Sequence, residues 1–456
     1  MKIVVTGATS FVGLGAVREL LHRGHQVYAV LREHSTKADL LRENGKFPQG
    51  LTILEEDLGN LSKLPERIPG GCDVFLHMGW RGAGSDSRKN ESVQEESVQD
   101  ALNAVRVAKD LGCRRFLFTG SQAEYGVKSE LTDEETVCEP TSPYGRAKLA
   151  VRQQAEVLCR ELGLDYGHAR IFSTYGPGDH PWSLLSSCVR VFRAGEKMTM
   201  TACTQLWNFM YIDDAGRALA DLAEYAGNLA DHGCVYNLGG PMDETGPLRG
   251  FVETVYELCG RQGSMEFGVR PPNAEGIVNL IPDIRKMEHN ILANELLQHG
   301  NEFVVEDMNY KALQKRSKET KVNPKTGRAH TKKRFGKSLS RCAPAMFISI
   351  LNKKANRYGG SVIKVSTFET KASQFDHTDE SYTKKRLSER MAHLSSGEVV
   401  QRDLYSAFLL EYIDTESLEY NTKALNSAFP AFLEMHENTK RRLQAVGSSL
   451  PASIGF

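Results

Sequence analysis

Tyr144 and Lys148 stand four residues apart in the run Ser142-Pro143-Tyr144-Gly145-Arg146-Ala147-Lys148. On a helix that spacing puts a phenol and an ammonium on one face. The cation favours phenolate and draws the tyrosine pKa from about 10 toward neutrality, which suits moving a proton to or from an alcohol oxygen. Tyr-x-x-x-Lys is also an ordinary solvated pair on many helices, so the pair gains meaning only from the elements that position it.

Those elements begin at the first residue. The β-branched strand Lys2–Val5 runs into Thr6-Gly7-Ala8-Thr9-Ser10-Phe11-Val12-Gly13, then a helical pattern over Ala16–Leu21, then Gly24-His25 and a second strand, Gln26–Leu31. Strand, glycine turn, helix and strand within about 30 residues predict a dinucleotide-binding unit. Gly7 allows the tight turn and Gly13 the close approach of helix to strand, while Ser10 stands where a middle glycine is usual. With Phe11 and Val12 these residues form the helix N-terminus that receives a pyrophosphate. Arg32 ends the second strand, where an acid would grip an NAD ribose. It can pair with a 2′-phosphate, which leans the cofactor toward NADP over NAD, or simply be a solvated loop residue. A third strand, Leu51–Leu54, leads to Glu55-Glu56-Asp57-Leu58, where a carboxylate could reach adenine or the run is simply an acidic strand-end loop. A fourth, Asp73–His77, leads to Met78-Gly79-Trp80. After a helix over Ser92–Leu111, the strand Arg115–Thr119 sets Ser121 at the carboxyl end of a parallel sheet, where such sheets bind ligands.

The chain has 456 residues, 40% hydrophobic and 25% charged, with zero formal net charge, a size that predicts two or more domains. Nine cysteines without a C-x-x-C suggest neither a disulfide framework nor a cysteine zinc site, and fit a reduced cytoplasm. No apolar run reaches the ~18 residues of a membrane span, and the N-terminus lacks a signal peptide's apolar region. No metal and no membrane partner are expected for the catalytic part.

With Arg170-Ile171-Phe172-Ser173-Thr174-Tyr175-Gly176-Pro177-Gly178 and Phe209-Met210-Tyr211-Ile212-Asp213-Asp214 added, the chain over about 1–285 resembles the extended short-chain dehydrogenase/reductases, in their nucleotide-sugar epimerase/dehydratase group. The resemblance implies an α/β Rossmann fold, a doubly wound parallel sheet with a small substrate lobe over about 177–287. It implies Tyr144 as general acid/base, Lys148 holding the nicotinamide ribose, and Ser121 bonded to the reacting oxygen. Dehydratases of the group carry Asp-Glu where this chain has Gln122-Ala123, so a 4-epimerase or keto-sugar reductase is expected. Ser173 and Ser97 replace asparagines common in the group. Asn237, Arg270 and Trp207 are candidate sugar-nucleotide contacts, each equally readable as structural. A homodimer through the Tyr144–Leu162 helix is also implied, and the group's final segment is missing after Lys286.

From 286 to 456 the character changes. Between Lys311 and Arg341 there are twelve Lys or Arg and one acid, Glu319, a solvated linker or a weak nucleic-acid contact. Ala293–Leu296, Gly300-Asn301, Val305–Met308, Lys371–Gln374 and Gln401–Phe408 resemble the C-terminal part of OrfB/TnpB-type transposon nucleases. That resemblance implies an incomplete RNase-H-like (RuvC) α/β segment. Glu306 and Asp403 match two of that family's three metal-binding carboxylates; the first carboxylate and the zinc ribbon are absent. The chain therefore reads as a fusion whose tail is an inactive nuclease remnant. The alternative reading is a transposase-derived nucleic-acid-binding protein.

Overall fold

The structure is a computed structural model that describes residues 1–84, 87–225, 227–229, 233–271, 278–314, 339, 342–386 and 389–445. Most of the basic run over 311–341 lies outside the described residues. The chain divides by packing into residues 1–291 and 292–456.

In the first unit, β-branched and aromatic runs form strands and 3.6-period runs form helices. In chain order these are β1 (Lys2–Thr6), α1 (Phe11–His22), β2 (Gln26–Leu31), β3 (Leu51–Glu55), β4 (Val74–His77), α2 (Glu91–Asp110), β5 (Arg115–Ser121), α3 (Pro143–Leu162), β6 (Asp165–Ile171), α4 (Leu184–Arg193), α5 (Ile212–Glu224), β7 (Val235–Leu238) and α6 (Leu248–Leu258). The seven strands make one parallel sheet in the order β7-β6-β5-β4-β1-β2-β3. Both faces are covered, as parallel sheets require. Strand alternation divides the side chains between them: Ile3, Val5 and Leu117 pack with α1 and α5 on one face. Val4, Phe116 and Phe118 pack with α2 and α3 on the other. The strand order reverses between β1 and β4, which opens the crevice where doubly wound sheets take ligands.

A smaller lobe has its own core of Cys188, Phe192, Met200, Cys203, Leu248 and Val252. Residues 280–283 tie it to the sheet domain: Leu280 N–H bonds to Leu206 O at 2.9 Å, Thr132 N–H to Ile281 O at 2.8 Å and Asp283 N–H to Thr132 O at 2.8 Å. Beyond them Met287 is buried in the sheet core.

The second unit has separate cores. Phe375, Tyr405, Phe408, Phe429 and Phe432 form the largest. The strand Glu302–Glu306 pairs in parallel with Ser361–Val365. Among the described residues this unit has only two-stranded pairings.

Candidate active site

Helix α3 is started by its sequence. Ser142 caps it, accepting from Gly145 N–H at 3.1 Å, and Pro143 occupies the first turn. Gly145 lets the helix start press on the turn after β5, because a Cβ there would stand 2.4 Å from Ala123 O. That approach brings Tyr144, in the first turn, to Ser121.

Ser121 ends β5 and caps the short turn Gln122–Glu124, its Oγ accepting from Ala123 N–H at 3.2 Å. Its hydroxyl shares a hydrogen bond with the Tyr144 phenol. Lys148 follows one turn later and is 3% exposed. Its Nζ donates to Thr119 O at 2.8 Å and lies 3.9 Å from the Trp80 ring centroid and 4.5 Å from that of Phe118. The three predicted catalytic residues thus converge at the carboxyl end of β5.

The electrostatics differ from the sequence expectation. Burial pushes the Tyr144 phenol up, and the charge of Arg88 and the Ser121 hydrogen bond pull it back only in part. The Lys148 ammonium is turned to Thr119 O and the Trp80 face and lies 5.7 Å from the Tyr144 ring centroid. Burial lowers Lys148 itself to about 7, with Glu124 raising it and Arg88 lowering it. Arg88 was missed by sequence reasoning: its guanidinium sits 4.5 Å from the Tyr144 ring centroid, and no motif marks it. Trp80, noted only as part of a close approach, also meets the Tyr144 ring edge-on at 6.1 Å.

Beside this centre lies the crevice between β1 and β4. Ser10 caps α1, accepting from Gly13 N–H at 3.0 Å, which leaves the first-turn N–H groups of Phe11 and Val12 without a partner inside the helix. A Cβ on Gly13 would stand 2.1 Å from Gly7 O, and one on Gly7 would stand 2.8 Å from the Met78–Gly79 backbone. Arg32 is exposed just past β2, and Asp57 and Leu58 follow β3. An open helix N-terminus, backbone packed too tightly for side chains, and polar groups past β2 and β3 fit a dinucleotide. Asn237 is fully buried, accepting from Tyr125 Oη at 2.7 Å and donating to Thr132 O at 3.1 Å. Arg270 bonds to Thr199 Oγ1 at 3.1 Å; Trp207 packs against the small lobe's core.

The model of the NAD dependent epimerase/dehydratase family matches residues 3–239, just over half of the chain. The chain belongs to this family. Among similar proteins of this epimerase/dehydratase group is an uncharacterized UDP-glucose epimerase of Bacillus subtilis, YtcB. It is 24% identical over 277 residues, covering 59% of this chain and 85% of the relative. UDP-glucuronic acid decarboxylase 1 of Arabidopsis thaliana is 26% identical over 301 residues, covering 64% of this chain but only 65% of the relative. The fold is also that of the UDP-glucose 4-epimerase of Thermotoga maritima with UDP-glucose. The TM-score is 0.55 at 21% identity, over 63% of this chain and 91% of that one. The Thermus thermophilus UDP-glucose 4-epimerase complex with NAD gives 0.54 at 21% identity, over 63% and 92%.

No carboxylate stands at 122 or 123, but one appears at Glu124, fully buried and turned into the sheet. Ser97 is also buried, donating from Oγ to Val93 O at 2.9 Å and accepting from Arg81 N–H at 3.3 Å. In the second unit, Asp403 raises the pKa of Glu306, after burial. No group of three or more His, Cys, Asp or Glu able to hold a metal occurs among the described residues. No helix among them is long and apolar enough to cross a membrane.

Proposed function

We propose that the first unit is an NAD(P)-dependent nucleotide-sugar epimerase or keto-sugar reductase. The observation that carries this reading is the convergence of Ser121, Tyr144 and Lys148 beside the Gly7–Gly13 crevice. The bound cofactor would accept and return a hydride at a sugar carbon. The chain's own groups handle the proton. Tyr144, held protonated by burial, is the form that donates to a keto oxygen as it becomes an alcohol. In the reverse direction it takes that proton back. Ser121 bonds the same oxygen and stabilises its developing charge. Gly7, Ser10, Phe11, Val12 and Gly13 would seat the pyrophosphate, Asp57 and Leu58 the adenine, and Lys148 the nicotinamide ribose. Exposed Arg32 supports NADP over NAD.

NADPH fluorescence titration tests the cofactor; absence of binding, or binding unchanged in Gly7→Trp, sinks the reading. Incubation with UDP-glucose and UDP-glucuronic acid then separates the two reactions. An epimerase interconverts sugars without net cofactor turnover, whereas a reductase consumes NAD(P)H. A homodimer through α3 is part of the proposal, tested by light scattering. So is a cytoplasmic setting, supported by nine free thiols.

The resemblance to an OrfB/TnpB-type nuclease supports a remnant RuvC-like segment over about 286–456, of which residues up to 291 pack with the first unit. Burial and the charge of Asp403 raise Glu306, but two carboxylates are one fewer than the family's metal set. A salt-dependent gel shift would favour a nucleic-acid role. Mg²⁺-dependent cleavage would overturn the remnant reading.

A further inference from the structure

Directly behind Ser121 lies a second set of charges that the proposed reaction does not use. Glu124, His168 and Arg170 are almost wholly buried. Glu124 Oε1 accepts from Ser121 N–H at 2.8 Å and bonds His168 Nε2 at 2.9 Å; Oε2 accepts from Arg170 Nε at 2.8 Å. His168 Nδ1 in turn meets Tyr166 Oη at 2.8 Å, and Arg170 reaches Cys138 Sγ at 3.2 Å. With both oxygens engaged and no exposure, this carboxylate has no access to a substrate and is not a general acid.

A neutral glutamine could accept the Ser121 N–H equally well. Burying an ion instead carries a desolvation penalty of several kcal/mol unless it is well paired, and two further buried side chains, His168 and Arg170, meet this one. Arg170 pairs this charge on β6, and the charge also reaches helix α3. Glu124 acts electrostatically on both Lys148 and Tyr144.

We propose that Glu124 is a positioning residue of the centre, fixing Ser121 through its backbone N–H and holding a standing negative charge beside Lys148 and Tyr144. The proposal rests on the reading of Ser121, Tyr144 and Lys148 given above. The groups facing the carboxylate are His168, Arg170 and Tyr166 on β6, Cys138 before α3, Ser121 in its own turn, and Lys148 and Tyr144 on α3; Arg88, from the short helical turn Ser87–Lys89, faces the last two. Burial alone would raise Glu124, but His168, Arg170 and the Ser121 N–H hold it well below the usual carboxylate range, while burial lowers His168 itself. Its charge favours the protonated forms of Lys148 and Tyr144; removing it must lower both.

The test uses the full chain labelled with ¹³C at lysine Cε, the Lys148 resonance being assigned with Lys148→Arg. In Glu124→Gln the Lys148 midpoint should move down by about one pH unit from its value near neutrality. In Glu124→Asp, which keeps the charge, it should stay close to wild type. Should the Gln variant fail to fold, judged by circular dichroism, Glu124→Gln/Arg170→Met removes both buried charges and should still lower the midpoint, because the charges acting on Lys148 are those of Glu124 and Arg88. An unchanged or higher midpoint in the folded Gln or double variant overturns the proposal. Cofactor titration of the wild type keeps the two readings apart. A chain that binds neither NAD nor NADP fails the enzyme reading, whereas cofactor binding with an unmoved Lys148 fails this one alone.

Discussion

Replacing Lys148 by methionine should stabilise the first unit while abolishing its cofactor binding. The lysine is 3% exposed, with one hydrogen bond from Nζ to Thr119 O at 2.8 Å and two aromatic faces around it. Burial lowers its pKa from 10.5 to about 7. A base whose folded pKa lies below its unfolded one binds its proton less well in the fold. Between those two values the unfolded chain carries more protons, so stability rises with pH across that window, and the full penalty stands at and below neutrality. The gap corresponds to about 5 kcal/mol. Methionine fills the volume without charge but gives up the Thr119 bond, worth about 1 kcal/mol, and its aromatic contacts differ. A net gain of roughly 2–4 kcal/mol at about pH 6 is expected, fading toward zero near pH 10. Urea unfolding followed by tryptophan fluorescence measures it cleanly, because Trp80, Trp182 and Trp207 are the chain's three tryptophans and all lie in residues 1–291. Equal or lower stability of the variant at about pH 6, or a difference that does not shrink as pH rises, would refute the reasoning.

Three further outcomes follow from the geometry. Gly13→Ala places a Cβ 2.1 Å from the rigid Gly7 carbonyl; it should destabilise the unit by roughly 1–3 kcal/mol and weaken NADPH binding, read by melting with and without cofactor. Arg88→Met removes the charge that holds the Tyr144 phenol down against burial, so the Tyr144 ionisation seen in ultraviolet titration, wild type minus Tyr144→Phe, should move to higher pH. In the second unit Phe408 is 6% exposed and stacks on Phe432 with centroids 4.6 Å apart. Phe408→Ala should remove about 3–5 kcal/mol and speed hydrogen exchange across 402–411 and 422–445.

The sheet domain was legible because its signals are local and periodic. Lys2–Thr6 is β-branched, the Gly7–Gly13 turn joins strand to helix, and Ser142-Pro143 announces a helix start; each of these is a property of adjacent residues. Tyr144, Lys148 and Ser121 stand out as candidates the same way, by type and spacing. What could not be read was the field around them. Glu124 is three residues from Ser121 in sequence, but its partners His168 and Arg170 come from the neighbouring strand, 44 and 46 residues on, and only strand pairing makes them neighbours. Arg88 sits in the short helical turn Ser87–Lys89, which no motif marks, yet it lies closer to the Tyr144 ring than the lysine four residues away does. The spacing argument assumed that side chains on one helix face act mainly on each other. In this fold the two interact more with what the sheet and loops bring to them: Lys148 with Thr119 O, Trp80 and Phe118, and Tyr144 with Ser121 and Arg88. A motif therefore specifies which groups can exchange a proton, whereas the direction and pH of that exchange are set by charges that sequence places far away. In this chain Glu124 and Arg88 have opposite signs and both act on Tyr144 and Lys148, so exchanging either for a neutral residue should shift both groups in the same direction, down for Glu124 and up for Arg88.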